Sequence, residues 1–130
     1  MNLDLLKKVK FGADGLIPLV VADVKTRRPL VLCFMNEEAL RKTLETGKVH
    51  TYSRSRGRVA LKGESSGHFQ IVKRVFVNCN MDSLVLEVEQ LTAACHEGYF
   101  SCYYREYDQA AGEFRVVEER VFDPSKVYKT

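Results

Sequence analysis

The fold is decided by the stretch IPLVVADVKTRRPLVLCFM, residues 17–35. It joins two apolar, β-branched runs, Ile17 to Val24 and Pro29 to Met35, through a short polar segment, a pattern typical of a β-hairpin. A helix is expected next, because Asn36 can cap its first turn and Gly47 suits its end. The sequence therefore predicts a hairpin that leads directly into one amphipathic helix.

Most of the remaining apolar residues alternate with polar ones, as they do in half-buried strands. Further strands are expected over residues 48–53, 69–79, 84–89, 99–107 and 114–122, the last two joined across residues 108–112. The sum is a single α+β domain over residues 1–130, mainly antiparallel sheet with one clear helix. Because so little helix is available to cover the sheet, we expect a homodimer to bury one of its faces.

Length and composition describe an ordinary globular domain. The chain has 130 residues, 45% of them hydrophobic and 28% charged, with a formal net charge of +3. That charge is too small to indicate a nucleic-acid surface by itself and suits an anionic small molecule equally well. No apolar run approaches the roughly 20 residues that cross a membrane. The N-terminal segment lacks a signal-peptide pattern, so we expect a cytoplasmic protein without membrane or nucleic-acid partners.

In a reducing compartment, cysteines serve more often as metal ligands, catalytic groups or core residues than as disulfides. Cys33 lies in an apolar run, and we interpret it as a small buried hydrophobic residue. Cys79, Cys95 and Cys102 follow the pattern C-x15-C-x6-C, without the close pair of a structural zinc module. Three thiolates without an obvious fourth ligand favour a zinc ion with an open position, where the pKa of bound water falls to about 7.

The spacing of the cysteines leaves other arrangements open. All three could be buried thiols, and a fourth ligand from His68 or His96 would make the zinc site structural. Cys79 could also come from one subunit and the other two cysteines from its partner. His96 follows Cys95 directly, so its imidazole could take or deliver a proton beside the zinc-bound water.

A second polar cluster indicates phosphate binding. Residues 52–56 read YSRSR and residues 62–68 read KGESSGH. Arginine, lysine, serine hydroxyls and the backbone around glycine are groups that hold phosphate. A solvated basic turn explains the same composition, and RNA binding is a weaker alternative because no aromatic platform is present. The candidate substrate-binding residues are Arg54, Arg56, Lys62, Glu64, Ser65 and Ser66.

Together these motifs resemble phosphoribosyl-AMP cyclohydrolase, the histidine-pathway family that opens the adenine ring of N1-phosphoribosyl-AMP. The matching segments are NEEAL at 36–40, SRSR at 53–56, KGESSGH at 62–68, ACHEG at 94–98, Ser101-Cys102 and the tail VFDPSKVY at 121–128. The resemblance covers nearly the whole chain, and the long ordered set of motifs makes it specific for the fold.

The resemblance implies a zinc ion held by Cys79, Cys95 and Cys102, with one cysteine contributed across a homodimer interface. It also implies that zinc-activated water attacks C6 of the N1-substituted adenine. The N1–C6 bond then breaks and leaves a formimino-carboxamide nucleotide.

The resemblance also assigns roles around that reaction. His96 matches a histidine suspected of proton transfer, and His68 matches the glycine-histidine near the pocket, so both are candidate catalytic residues. Arg54, Arg56 and Lys62 become candidate phosphate contacts, in agreement with their chemistry.

The chain departs from the family where magnesium is taken to bind. The family shows Asp-Cys-Asp-x-Asp there, whereas this chain has Asn78, Asn80 and Asp82 around Cys79. Because magnesium prefers anionic oxygen, replacing two carboxylates by amides predicts a weakened or absent site. The chain also lacks tryptophan, which the family tends to place near Tyr52 and Ala60, so the substrate pocket is expected to differ.

Three hypotheses of function follow. The leading one is a zinc-dependent phosphoribosyl-AMP cyclohydrolase of histidine biosynthesis. The second keeps zinc hydrolysis but acts on another purine-like or amidine-containing compound. The third is a non-catalytic dimer that binds zinc or a nucleotide.

Overall fold

The computed structural model describes residues 2–127. Along the chain the elements are α1 (Leu5–Lys8), β1 (Ile17–Asp23), β2 (Pro29–Met35), α2 (Glu37–Thr46), β3 (His50–Ser53), β4 (Arg58–Leu61), β5 (Gln70–Val77), β6 (Leu84–Gln90), β7 (Arg105–Asp108), β8 (Glu113–Val116) and α3 (Pro124–Val127). The α+β class with mainly antiparallel pairing is confirmed. Within these residues α2 is the one helix longer than a single turn.

Four strands form the central sheet in the order β2-β1-β6-β5. The outer pairs are antiparallel, while β1 and β6 run parallel at the centre. One face of the sheet packs with α2 in a common core, to which β1 contributes Ile17, Leu19 and Val21 and α2 contributes Leu40 and Leu44. All five are buried, and the burial of such side chains is the main force that holds the domain together.

The predicted hairpin and helix are both confirmed, and their ends show why they form. Asp23 Oδ2 accepts hydrogen bonds from the backbone nitrogen of Thr26 at 3.0 Å and from its hydroxyl at 2.7 Å, which closes the turn. Asn36 Oδ1 accepts from the backbone nitrogen of Ala39 at 2.8 Å and caps α2. Gly47 ends the helix with a φ of 75°, a conformation that glycine adopts without strain.

The face of the sheet that points away from α2 carries an apolar row. The strand register aligns Leu32 with Val20, Val20 with Val85, and Val85 with Phe76, so the row crosses all four strands. Leu32 is 52% exposed, Phe76 38% and Val85 37%. We call this set the apolar row.

Two predicted strands prove too long, and one strand was not predicted. Of residues 99–107 only the last three are strand, in β7, and of residues 114–122 only the first three, in β8; the two strands pair with each other across the predicted connection. Residues 94–104 otherwise form a loop tied to β2, and residues 118–122 cross that loop. The unpredicted strand, β4, pairs with β3 in a separate two-stranded sheet.

No helix within residues 2–127 is long and apolar enough to cross a membrane. Tyr128, the last residue of the tail motif, lies outside the described residues.

Candidate active site

Residues 94–102, which we call the cysteine loop, bring Cys95 and Cys102 together. Its arms are joined by backbone hydrogen bonds from Ala94 to Phe100 at 2.9 Å and from Cys95 to Tyr99 at 3.2 Å. The thiols of Cys95 and Cys102 lie close enough to interact, since Cys95 contributes to the raised pKa of Cys102. The loop therefore presents two metal-ligating side chains side by side.

The cysteine loop is fastened to the start of β2. The backbone nitrogen of Cys102 donates to the carbonyl of Leu30 at 2.8 Å, and the buried Ser101 hydroxyl donates to the carbonyl of Pro29 at 2.7 Å. Burial, reinforced by the neighbouring Cys95, raises the pKa of Cys102 to about 11. Cys33 packs against the core and burial raises its pKa to about 12, in keeping with its interpretation as a hydrophobic residue.

Cys79 lies far from the other two cysteines of the predicted zinc set. It follows β5 at one edge of the central sheet, whereas Cys102 is bonded to β2 at the opposite edge. The two positions are three strand spacings apart across the sheet and about four residues apart along the strand direction. Together these give a distance of roughly 20 Å. Within residues 2–127, no three His, Cys, Asp or Glu side chains gather to hold a metal ion. The soft thiols of Cys95 and Cys102 fit zinc chemically, but they supply only part of its ligands.

A cleft of about 280 Å³ lies beside the cysteine loop. It gathers five of the six predicted substrate-binding residues together with His96. Its lining is Thr51, Arg56, Arg58, Ala60, Leu61, Lys62, Gly63, Glu64, Ser65, Ser66 and His96. Three cations against the single carboxylate of Glu64, together with two serine hydroxyls and the imidazole of His96, form a pocket suited to an anionic, phosphate-bearing molecule.

Of the predicted catalytic and substrate-binding residues, two do not line this cleft. Arg54 is exposed on the turn after β3, where its guanidinium lies 4.2 Å from the centre of the Phe34 ring. His68 is buried behind the cleft, with its ring edge-on to Phe122 at 4.8 Å between centroids. Burial, and then the positive charge of Lys62, lower the pKa of His68. Its Nδ1 atom is buried without a hydrogen-bond partner among residues 2–127.

The side chains that were predicted as a weakened magnesium site close a turn instead. Asn78 Oδ1 accepts from the backbone nitrogens of Asp82 at 2.9 Å and Ser83 at 3.0 Å. Its Nδ2 donates to Asp82 Oδ1 at 2.6 Å. The amide and the carboxylate therefore satisfy each other, and Asn80 adds only an exposed amide. This arrangement does not fit magnesium, which requires several anionic or carbonyl oxygens directed at one point.

The C-terminal segment braces the cysteine loop from the outside. The backbone nitrogen of Val121 donates to the carbonyl of Gly98 at 2.7 Å, and Arg120 Nε donates to the carbonyl of Glu97 at 2.9 Å. A Cβ atom at Gly98 would lie 2.6 Å from the carbonyl oxygen of Phe122, so only glycine allows this approach. The tail therefore holds the loop that carries His96.

Glu97 and Tyr104 form a second brace. The Tyr104 hydroxyl donates to Glu97 Oε2, and this bond is the main reason why the pKa of Glu97 is lowered. Tyr104 also stacks on Tyr99, with 3.8 Å between ring centroids. The backbone nitrogen of Glu97 in turn donates to Cys95 Sγ at 3.4 Å, so the brace ends at a predicted metal ligand.

Sequence reasoning missed Arg58 and Thr51 in the cleft. Arg58 begins β4, the strand that was not predicted, and the pairing of β3 with β4 brings both residues to the same wall. Arg58 lies two positions after the YSRSR segment, and this closeness to the basic cluster could have indicated that it belongs to the same site. Glu97 and Tyr104 were also missed, because their contact depends on the closure of the loop.

Comparison with known proteins gives consistent matches. A sequence model of the family described as phosphoribosyl-AMP cyclohydrolase matches residues 31–104. The chain is 46% identical over 126 residues to the histidine biosynthesis bifunctional protein HisIE of Thermoanaerobacter pseudethanolicus, which covers 97% of this chain but 57% of that relative. It is 51% identical to the phosphoribosyl-AMP cyclohydrolases of Methanoregula boonei and Methanosarcina barkeri, over 92% and 100% of this chain and 94% of each relative.

Proposed function

The chain belongs to the phosphoribosyl-AMP cyclohydrolase family, and from this premise we propose that it opens the adenine ring of phosphoribosyl-AMP in histidine biosynthesis. The bond that breaks is N1–C6, and water is the second reactant. The observation that carries the proposal is the cleft lined by His96, Arg56, Arg58 and Lys62, because His96 directly follows Cys95 of the cysteine loop. Its free cysteines suit the reducing cytoplasm as the place of the reaction.

The cleft supports binding of a phosphorylated nucleotide. Arg56 and Arg58 line the cleft and carry positive charge. Each guanidinium group can hold a phosphate through two parallel hydrogen bonds. Ser65 and Ser66 add hydroxyl donors from the turn that follows β4. Arg54 lies outside this lining, and its stacking on Phe34 supports a structural role.

His96 is the residue to which we assign proton transfer. His96 follows Cys95 in the sequence, and its exposed side chain lines the cleft. It can therefore accept a proton from a water molecule near the thiols and donate one to a ring nitrogen in the cleft. Imidazole exchanges protons near neutral pH, as hydrolysis of a cyclic amidine requires. A zinc ion held by the cysteines would supply a water molecule acidified enough to react. His68 is buried and does not line the cleft, so we assign it no proton transfer.

We propose that two copies of the chain complete the zinc site. Cys95 and Cys102 would come from one copy and Cys79 from the other, because one chain holds these groups roughly 20 Å apart across the sheet. The apolar row supports this arrangement, since it exposes large side chains on β2, β6 and β5, and an exposed apolar row of this kind favours a partner surface that covers it. A second copy is the partner that also supplies the missing thiol.

Magnesium is not part of the proposal. The Asn78–Asp82 pair is closed on itself and leaves no set of anionic oxygens for a hard cation.

The test is a spectroscopic assay of purified, zinc-loaded protein with phosphoribosyl-AMP, with and without magnesium. We expect turnover in both conditions and loss of turnover when a chelator removes zinc. Absence of turnover by folded, zinc-loaded protein would overturn the assignment of substrate. Other purine-like amidines would then be tested on the same protein.

A further inference from the structure

Lys62 connects the cleft to the cysteine loop. Its Nζ atom donates a partly buried hydrogen bond to the carbonyl of Ala94 at 3.0 Å, across 32 positions of the sequence. The same side chain lines the cleft together with His96. The carbonyl of Ala94 belongs to the peptide group that joins Ala94 to Cys95, so the bond acts on the backbone directly before a predicted metal ligand.

The backbone that carries Lys62 is fixed. Its nitrogen donates to the carbonyl of Val49 at 3.0 Å, which extends the pairing of β3 with β4 by one residue. The next residue, Gly63, has a φ of 91°, and a Cβ atom there would lie 2.7 Å from backbone atoms of His68 and Phe69. The Lys62 backbone is therefore fixed by strand pairing before it and by the close backbone contact of Gly63 after it.

The other backbone bonds of Ala94 and Cys95 are made within the cysteine loop itself, to Phe100, Tyr99 and Gly98. Lys62 adds a bond from outside, and it brings a positive charge. That charge adds to the burial that lowers the pKa of His68. The charge of Lys62 thus affects His68, which is buried and does not line the cleft.

The remaining cations of the cleft differ from Lys62. The side chains of Arg56 and Arg58 are exposed, and they have no ion pair or hydrogen bond within the described part of the chain. They can turn to a ligand without losing an existing contact. To bind a phosphate, Lys62 would have to break its hydrogen bond to the Ala94 carbonyl or share the N–H donors of its ammonium group between the two.

We propose that Lys62 is a positioning residue, which orients Cys95 through the Ala94 carbonyl, rather than a phosphate contact. The proposal rests on the proposed function, because the metal that Cys95 would bind belongs to it. Removal of the side chain then weakens metal binding and turnover, whereas removal of a phosphate contact weakens substrate binding.

The experiment compares the full-length variants Lys62→Met and Lys62→Arg with Arg58→Met, a matched loss of one cation from the same wall. The zinc dissociation constant is measured by competition with a chromophoric chelator. Hydrogen exchange of the cysteine loop is measured in metal-free protein, and kcat and KM are measured with phosphoribosyl-AMP. Lys62→Gln replaces Lys62→Met if the latter does not fold.

For Lys62→Met we expect zinc affinity and kcat to fall by about 10- to 100-fold, as for other residues that orient a metal ligand, with little change in KM. Hydrogen exchange in the loop should become faster. Lys62→Arg should recover much of the zinc affinity, because its guanidinium can still donate to the carbonyl. Arg58→Met should leave zinc affinity and exchange unchanged and raise KM about tenfold or more, as expected for a lost charged hydrogen bond.

Wild-type zinc affinity and loop exchange in Lys62→Met, with a raised KM, would overturn the proposal and make Lys62 a substrate contact. Failure of the proposed function looks different, since the wild-type protein would then turn over no phosphoribosyl-AMP. The zinc and exchange measurements would still decide the role of Lys62.

Discussion

His96 is exposed, lines the cleft and follows Cys95 directly. Its replacement in His96→Ala should lower kcat by about 10²- to 10⁴-fold, the usual effect of removing a general acid or base. Zinc content should stay at the wild-type value, because the predicted ligands are three thiols. Steady-state kinetics and metal analysis of the same preparation test both statements. Loss of zinc in His96→Ala would instead identify the imidazole as a ligand.

The turn at residues 78–83 allows a test of the magnesium prediction. In the double variant Asn78→Asp, Asn80→Asp, the donor to Asp82 is lost and three carboxylates face one turn. Their mutual repulsion is relieved by a divalent cation, so magnesium affinity should rise above that of the wild type. Titration calorimetry measures the change, with Asn80→Asp alone as a control that keeps the Asn78–Asp82 bond. Unchanged magnesium binding in the double variant would show that the geometry of the site is lost.

The lowered pKa of His68 lets us predict how the free energy of unfolding depends on pH. Burial and the charge of Lys62 lower its pKa in the folded protein, while the unfolded chain keeps a value of about 6.5. As pH falls through 6.5, the unfolded chain binds a proton that the folded protein refuses, so the free energy of unfolding decreases. Urea denaturation at pH 7 and pH 5 should therefore show a smaller loss for His68→Gln than for the wild type. Equal losses would mean that His68 does not contribute.

Two glycines in the turn after β4 separate the effect of backbone conformation from that of steric contact. Gly63 and Gly67 have φ values of 91° and 78°, but only at Gly63 would a Cβ atom meet backbone, at 2.7 Å. Gly67→Ala should cost about 1 kcal/mol of stability, the usual strain of a left-handed non-glycine residue. Gly63→Ala should cost more, because His68 must move. Chemical denaturation of both variants compares the costs, and equal values would contradict the close contact.

The elements that the sequence predicted well are those with local causes. The hairpin and α2 were predicted from apolar runs, the Asn36 cap and Gly47, and each of these signals acts within a few residues. β4 was missed because four residues, RVAL, follow a basic run without a clear alternation. Residues 99–104 were predicted as strand, yet they bond to β2, to Ala94 and Cys95, and to residues 117–118 rather than pairing with a neighbouring strand.

The candidate site was predictable where its residues follow one another along the chain. The cluster from Lys62 to Ser66 lines one wall of the cleft because it forms a single turn after β4. The position of His68 behind that wall was not predictable, since it depends on the tail residue Phe122, 54 positions later in the sequence. The Lys62–Ala94 bond likewise requires the complete fold.

At the scale of the whole molecule, topology decides which cysteines can meet. The pattern C-x15-C-x6-C gives no distances, and the parallel pairing of β1 with β6 is what places β5 and β2 at opposite edges. Cys79 is thereby separated from Cys102 within one chain. This separation within one chain is the reason why we propose a zinc set divided between two subunits.

Val85 lies in the middle of the apolar row and is 37% exposed, so a charge there should disrupt a dimer without disturbing the core. We expect Val85→Lys to be a folded monomer in analytical ultracentrifugation. Its zinc content should fall, because the partner's Cys79 would no longer reach the thiol pair. Leu91→Lys is the matched control: Leu91 is also 37% exposed but follows the end of β6, outside the row. A Val85→Lys monomer that kept one tightly bound zinc per chain would contradict the divided site, and a Val85→Lys dimer would place the interface on another surface.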